Sequence, residues 1–214
     1  MLKDRRKTLL IYSGGMDSTT LLYKLRADGD EVRAISFDYG QRHKKELRSA
    51  EKICGLLKVP HQIVNIKSLN TLMAGSSLTS DIAVPEGHYQ DKTMRSTVVP
   101  NRNMIFISLA MAAAISQKYD RIALAVHAGD HAIYPDCRPE FIKVMQAAGR
   151  VSNYEKLGVY APFLNKTKRQ IAQIGHRLKV PFDLTWTCYK GLAKPCGKCG
   201  ACVERAEALT STNL

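Results

Sequence analysis

Residues 8–20, Thr8-Leu9-Leu10-Ile11-Tyr12-Ser13-Gly14-Gly15-Met16-Asp17-Ser18-Thr19-Thr20, run from an apolar pentad through two glycines into hydroxyl-rich chain. Thr8–Tyr12 has the length and bulk of a buried strand, and from Asp17 to Ala27 the leucines at 21, 22 and 25 keep helical spacing. A strand, a glycine turn and a helix in that order open a β-α unit. Val32–Phe37 predicts a second strand, Lys44–Leu57 a second helix and His61–Ile66 a third strand. Such alternation predicts an α/β protein, doubly wound, with a mainly parallel sheet covered by helices on both faces.

Downstream, residues 68–99 dissolve into Gly, Ser, Thr, Asp and Pro. A segment that long without periodicity inside a compact domain predicts a functional loop, here one that closes over substrate. Arg102–Lys118 carries apolar side chains on one stripe (Met104, Ile107, Met111, Ile115) and on a second face (Ile105, Leu109, Ala112), which predicts a buried helix. Arg121–Val126 reads as a fourth strand, and Pro139 suits the first turn of a helix. Val159–Phe163 reads as a short extended piece, and Asn165 as the cap of a helix over 167–178.

The whole chain has 214 residues and no cysteine requirement for stability, because a chain of this size buries about 70% of its unfolded surface. One α/β domain over 1–183 is expected, with a cysteine-bearing segment over 184–214 packed on it. Thirty-two Lys and Arg against 19 Asp and Glu give a formal +13, which favours anionic partners. The positive charges are dispersed rather than gathered in an arm, so nucleic acid is not expected. No run reaches the ~20 apolar residues of a membrane span, and the basic residues Lys3, Arg5, Arg6 and Lys7 are followed by only a short apolar stretch without a small-residue cleavage site. A cytoplasmic protein is expected.

The glycine turn has the makings of an anion cradle. Glycine lets backbone approach a ligand, and the following helix presents unpaired N–H groups and a positive dipole end. Hydroxyls of Ser13, Ser18 and Thr19 add donors, whereas Asp17 suits a phosphate site only with Mg²⁺ between the two anions. Neither Gly-x-x-x-x-Gly-Lys-Ser/Thr nor Gly-x-Gly-x-x-Gly occurs here. A plain capped helix start, with Asp17 serving the dipole, is the alternative.

Cys188, Cys196, Cys199 and Cys202 are spaced C-x7-C-x2-C-x2-C, with Gly197 and Gly200 after two of them. Short gaps and glycine turns let four thiolates converge on one tetrahedral ion, so a structural Zn²⁺ is expected, with an iron–sulfur cluster as the competitor. Cys54, beside Ile53 and Leu56, reads as an inert core residue.

Ser-Gly-Gly-x-Asp-Ser after an N-terminal strand resembles the pyrophosphate loop of the N-type ATP pyrophosphatases, whose adenine nucleotide alpha hydrolase-like fold is Rossmann-like. Further strings, Phe37–His43 (FDYGQRH), Val99–Asn103 (VPNRN), Tyr134–Phe141 (YPDCRPEF) and Thr185–Tyr189 (TWTCY), together with the cysteine spacing, resemble the 7-cyano-7-deazaguanine synthases of queuosine-type deazapurine biosynthesis. The resemblance covers nearly the whole chain. It implies a ligase that forms C–N bonds, using ATP and ammonia to turn 7-carboxy-7-deazaguanine into the nitrile through adenylate and amide intermediates. It also implies a homodimer.

By the same resemblance Tyr12, Ser13, Gly14, Gly15, Met16, Asp17, Ser18, Thr19, Thr20, Leu21 and Leu22 contact the nucleotide and its Mg²⁺, with Ser36 and Phe37 against adenine and Arg102 on the α-phosphate. Asp17, Ser18, Arg102, Asp130 and Asp136 are the catalytic candidates, the last two toward the base or a metal. His127 and His131 are candidates for proton transfer, and Tyr39, Tyr134 and Trp186 for stacking on a planar base. Residues 125–133 depart from the more familiar bacterial pattern, which leaves open an enzyme that stops at the amide. A tRNA-modifying adenylating enzyme is the other alternative.

Overall fold

The computed structural model describes residues 5–88 and 92–210; Lys3 and the loop residues 89–91 lie outside them. Five strands, β1 (Lys7–Ile11), β2 (Glu31–Asp38), β3 (His61–Asn65), β4 (Arg121–Ala123) and β5 (Gly158–Tyr160), form one sheet in the order β3-β2-β1-β4-β5. Every pairing is parallel. The helices are α1 (Met16–Ala27), α2 (Lys45–Leu57), α3 (Arg102–Ser116), α4 (Pro139–Val151), α5 (Lys168–Arg177) and α6 (Gly200–Thr210).

The strand period of two divides the apolar residues between the faces. Leu9 packs with Ile107, Met111, Ile142 and Met145 of α3 and α4, while its neighbour Leu10 packs with Leu21, Leu22, Ile53 and Ile171 of α1, α2 and α5. Both faces of the sheet are therefore covered, as the β-α alternation predicts. From β1 the chain steps outward to β2 and β3, then crosses to β4 and β5 on the other side. That reversal opens a crevice at the carboxyl ends of β1 and β4, where open α/β sheets bind ligands.

Several local expectations change. The cap of α5 is Thr167 rather than Asn165: Thr167 Oγ1 accepts from Gln170 N (3.3 Å) and Gln170 Oε1 accepts from Thr167 N (2.9 Å). This reciprocal pair satisfies two backbone donors at once, which an exposed Asn165 two residues earlier does not. Helix α3 is not buried around its girth. Ile107, Ala110, Met111 and Ala114 face the sheet, whereas Met104 is 42% exposed, because a helix on a sheet has only one face to bury. Strand β4 stops at Ala123, although Leu124 N still donates to Tyr160 O (3.1 Å). The long loop lacks periodicity yet is packed: it forms 3-10 turns over Lys67–Met73 and Lys92–Thr97, and Met73, Leu78 and Met94 are buried. Pro139 does occupy the first turn of α4.

At the sheet end opposite the crevice, Arg121 Nη2 meets Asp30 Oδ2 at 2.6 Å and Arg121 Nε donates to Thr8 Oγ1 at 3.0 Å. The two charged side chains are only 11% and 6% exposed. Removing one partner strands the other, so Asp30→Ala is expected to lower unfolding free energy by about 3 kcal/mol in urea titrations.

Candidate active site

The turn after β1 is built by steric exclusion. Gly14 has φ +77°, and a Cβ there lies 2.3 Å from Glu46 O and 2.7 Å from Ala50 N of α2, so only glycine fits. Gly15 caps α1 without a side chain. Ser13 Oγ accepts from Gly15 N (3.2 Å) and pairs with Ser18 Oγ (3.0 Å). The α1 ladder begins with Thr19 N donating to Gly15 O (3.0 Å), so the amides of residues 16–18 precede it at the helix mouth.

A cleft of about 230 Å³ opens above this turn. Of the residues expected at the site, Tyr12, Ser13, Gly15, Met16, Asp17, Ser18, Phe37, Arg102 and Asp130 line it, as do Tyr39, Tyr134, Trp186 and His127. The remaining expected residues support the site from behind. Thr19 Oγ1 bonds Tyr12 Oη (3.0 Å), Thr20 Oγ1 donates to Met16 O (2.9 Å), and Leu21 and Leu22 are fully buried in the core. Ser36 Oγ bonds Tyr12 O (2.5 Å) and His61 Nε2 (2.7 Å), holding the β1 and β2 ends together. Asp136 Oδ2 accepts from Asn103 N (3.0 Å), which places it at the start of α3. His131 lies off the cleft, and Cys54 is buried with its thiol pushed up to about 12 by burial.

At one end of the cleft is a charged cluster. Asp17 Oδ2 lies 3.0 Å from Lys168 Nζ and 3.7 Å from His127 Nε2, while Asp17 Oδ1 is buried without a hydrogen-bond partner. Burial pushes the Asp17 carboxyl up, but Lys168 and His127 outweigh it, so the group is held below the usual carboxylate range. Lys168 is 8% exposed and also meets Glu204 Oε2 at 2.9 Å. Burial pulls Lys168 down, yet Asp17, Glu204 and Asp130 together raise it above an ordinary lysine. His127 Nδ1 accepts from Gly129 N (3.1 Å), which leaves Nε2 to carry the proton toward Asp17 and Asp130.

At the other end the walls are aromatic. Phe37 and Phe106 stack at 4.5 Å, and Tyr39 tilts against Phe106 at 5.4 Å. Burial pushes the Tyr39 hydroxyl up to about 12, and Arg102 Nη1 lies 3.5 Å from it. Desolvation works against the Arg102 guanidinium, but Tyr39 and Asp136 overcompensate and keep it charged.

Lys168, Glu46 and Phe106, which line the cleft, and Glu204 beside Lys168 lie outside every string that marks the site in the sequence. For Lys168 a signal existed: it is the first residue of α5, where a cation opposes the helix dipole.

The four cysteine sulfurs lie within 4.8 Å of one another. A tetrahedron of 2.3 Å metal–sulfur bonds has edges near ~3.8 Å, and Cys196 Sγ to Cys202 Sγ is 4.0 Å, so the donors fit a single ion. Backbone amides of Lys198 (3.5 Å) and Cys199 (3.3 Å) donate to Cys196 Sγ. Burial raises this thiol, but these donors outweigh it and bring it to about 7. The segment is fastened to the glycine turn, since Trp186 N donates to Gly14 O (3.1 Å).

The queuosine biosynthesis protein QueC family matches residues 7–213. The chain belongs to this family. It is 53% identical over 209 residues to a 7-cyano-7-deazaguanine synthase of Pseudoalteromonas translucida, covering 98% of this chain and 96% of the relative. With the synthase of Hahella chejuensis it shares 54% over 202 residues, 94% of this chain and 87% of the relative. In fold it is similar to a U34-tRNA thiolase from Methanococcus maripaludis that carries a 4Fe-4S cluster, with TM-score 0.54 and 16% identity over 99% of this chain and 67% of that one. It is also similar to an NH3-dependent NAD synthetase from Campylobacter jejuni, with TM-score 0.51 and 18% identity over 86% and 68%. Among the described residues no helix is long and apolar enough to cross a membrane.

Gly14→Ala is expected to displace α2 from the turn, because its Cβ meets backbone on both sides and its φ is unfavourable. A lowered midpoint in thermal unfolding, by several degrees, checks this.

Proposed function

We propose that the chain carries out the reaction its relatives are named for: 7-carboxy-7-deazaguanine, ammonia and ATP give 7-cyano-7-deazaguanine. The observation that carries the reading is one cleft with a glycine-turn anion cradle and Lys168 at one end, and aromatic walls beside Arg102 at the other. A substrate carboxylate oxygen attacks the α-phosphorus of ATP, and pyrophosphate leaves. Ammonia then attacks the acyl carbon, a proton is lost, and AMP departs with the original carboxylate oxygen. A second ATP takes up the amide oxygen in the same way. Loss of two N–H protons and AMP leaves the nitrile.

Each step loads negative charge onto phosphate, and preorganised donors act on that charge without reorganising. The amides at the mouth of α1, the hydroxyls of Ser13 and Ser18, and Lys168 receive the departing pyrophosphate. Arg102, charged and at the start of α3, faces the α-phosphate. Tyr39, Trp186 and Phe37 offer surfaces for flat bases. His127 Nε2, between Asp17 and Asp130, is placed to exchange a proton in the elimination. Asp136 acts through the N-terminus of α3.

Mg²⁺ belongs to this reading. The buried, unpartnered Asp17 Oδ1 suits a hard cation, and the local carboxylates Asp17, Asp130 and Glu204 repel a bare polyphosphate. The ion would supply charge neutralisation between Asp17 and the phosphates. Zn²⁺ is proposed for the four cysteines because their close spacing suits one ion better than the wider iron–sulfur cube. On this reading the segment from residue 184, described as far as residue 210, holds the metal against the α/β domain, supported by Cys188, Cys199 and Cys202 sharing a core with Leu9 and Ile107. A cytoplasmic homodimer completes the proposal; exposed Val144 and Val151 on α4 and Tyr154 support an apolar contact between copies.

Incubation with ATP, ammonium and 7-carboxy-7-deazaguanine, followed by mass analysis, is expected to yield AMP and the nitrile. AMP with the amide alone would limit the enzyme to the first half-reaction, and absence of AMP would contradict the reading. Arg102→Ala should lower turnover by roughly 10²- to 10³-fold while the thermal midpoint holds. Metal analysis should return one zinc per chain, and iron with visible absorbance would overturn the zinc assignment.

A further inference from the structure

Lys168 does not hold its position at the glycine turn alone. Its ammonium lies between Asp17 Oδ2 (3.0 Å) and Glu204 Oε2 (2.9 Å), and Glu204 belongs to α6, the helix that begins inside the cysteine cluster. Cys202 and Glu204 are two residues apart, hence about 200° apart around the helix axis. One side of α6 therefore meets the metal ligands and the other meets the lysine. Gly129 leaves the space that Glu204 occupies, since a Cβ there lies 2.7 Å from Glu204 Oε1. The next residue, Arg205, locks the helix to the preceding strap through Thr185 Oγ1 (2.6 Å), Thr187 Oγ1 (3.1 Å) and Phe182 O (2.5 Å).

These contacts have a chemical consequence. A lysine paired with Asp17 alone is free to follow that carboxylate or to swing into the cleft. A second carboxylate 2.9 Å away restrains the ammonium, so that its charge stays beside the turn. We infer that Glu204 is a positioning residue for the phosphate end of the nucleotide: it holds Lys168 for pyrophosphate, so the docked four-cysteine segment completes the ATP site. This rests on the proposed ATP reaction, and it assigns to α6 a part in that reaction beyond packing.

Glu204→Gln, Glu204→Asp, Lys168→Met and the Lys168→Met/Glu204→Gln double variant, each full-length and metal-loaded, separate positioning from packing. Calorimetry with Mg²⁺ measures binding of inorganic pyrophosphate and, separately, of AMP. Lys168→Met should weaken pyrophosphate roughly 10- to 100-fold, the worth of one charge-assisted hydrogen bond. Glu204→Gln should weaken pyrophosphate by a similar factor and AMP by less than about 2-fold, and Glu204→Asp should recover part of the loss. In the double variant the two losses should not multiply, because Glu204 acts through Lys168. Zinc content and thermal midpoint, followed in parallel, show that α6 is still docked. Wild-type affinity for pyrophosphate in Glu204→Gln, equal losses for AMP and pyrophosphate, or multiplying losses in the double variant would each overturn the inference. Wild-type protein that releases AMP from its substrates but shows those results loses only the role of Glu204; wild-type protein that binds neither probe loses the ATP reading as well.

Discussion

A lysine buried between two carboxylates ties together three parts of the chain that are far apart in sequence: the turn after β1, the start of α5 and the middle of α6. Burying three charges is a poor way to gain stability, since desolvation offsets most of the attraction and apolar packing does as well. It is a good way to keep an ammonium charged and aimed. The two acids hold Lys168 above an ordinary lysine, and Lys168 in turn keeps Asp17 ionised despite burial. The cluster gives the glycine turn a fixed cation and a fixed anion side by side, an arrangement suited to a magnesium–polyphosphate rather than to either ion alone.

The fold read well from sequence wherever the signal was periodic. Leu9 and Leu10 face opposite sides of β1, and the leucines of α1 follow the helical spacing. Pattern along the chain is ambiguous where local chemistry competes. Asn165 and Thr167 are both capping residues, and the choice was settled by Gln170 three residues on, a partner only Thr167 possesses. The stripes on α3 were correctly apolar, but periodicity does not report how many neighbours a helix has, and the Met104 side is left half-open.

The site was legible where its residues are contiguous. The turn at 13–18 and the four cysteines stand as compact strings, and the structure brings each string together. Glu204 carries no local motif, and Lys168 carries only the unfavourable placement of a cation at the start of α5. Each gains its meaning from a partner about 150 or about 35 residues away, a distance that pattern along the chain cannot bridge. The cysteine segment gains by the same contact. Trp186 donates to the glycine turn, Glu204 pairs with Lys168, and the four cysteines lie between these two residues along the chain, so the cysteine cluster is tied to the turn from both of its flanks. The formal +13 of the chain is a general background to this, whereas Lys168 and Arg102 are cations that line the cleft itself.

A crystal structure of the zinc-loaded protein with Mg²⁺, AMP and pyrophosphate tests the account most directly. It should place a pyrophosphate oxygen within hydrogen-bond distance of Lys168 Nζ, above the amides of residues 16–18, with the Lys168–Glu204 contact intact. Pyrophosphate bound elsewhere, or Lys168 turned away toward Glu204 alone, would contradict it.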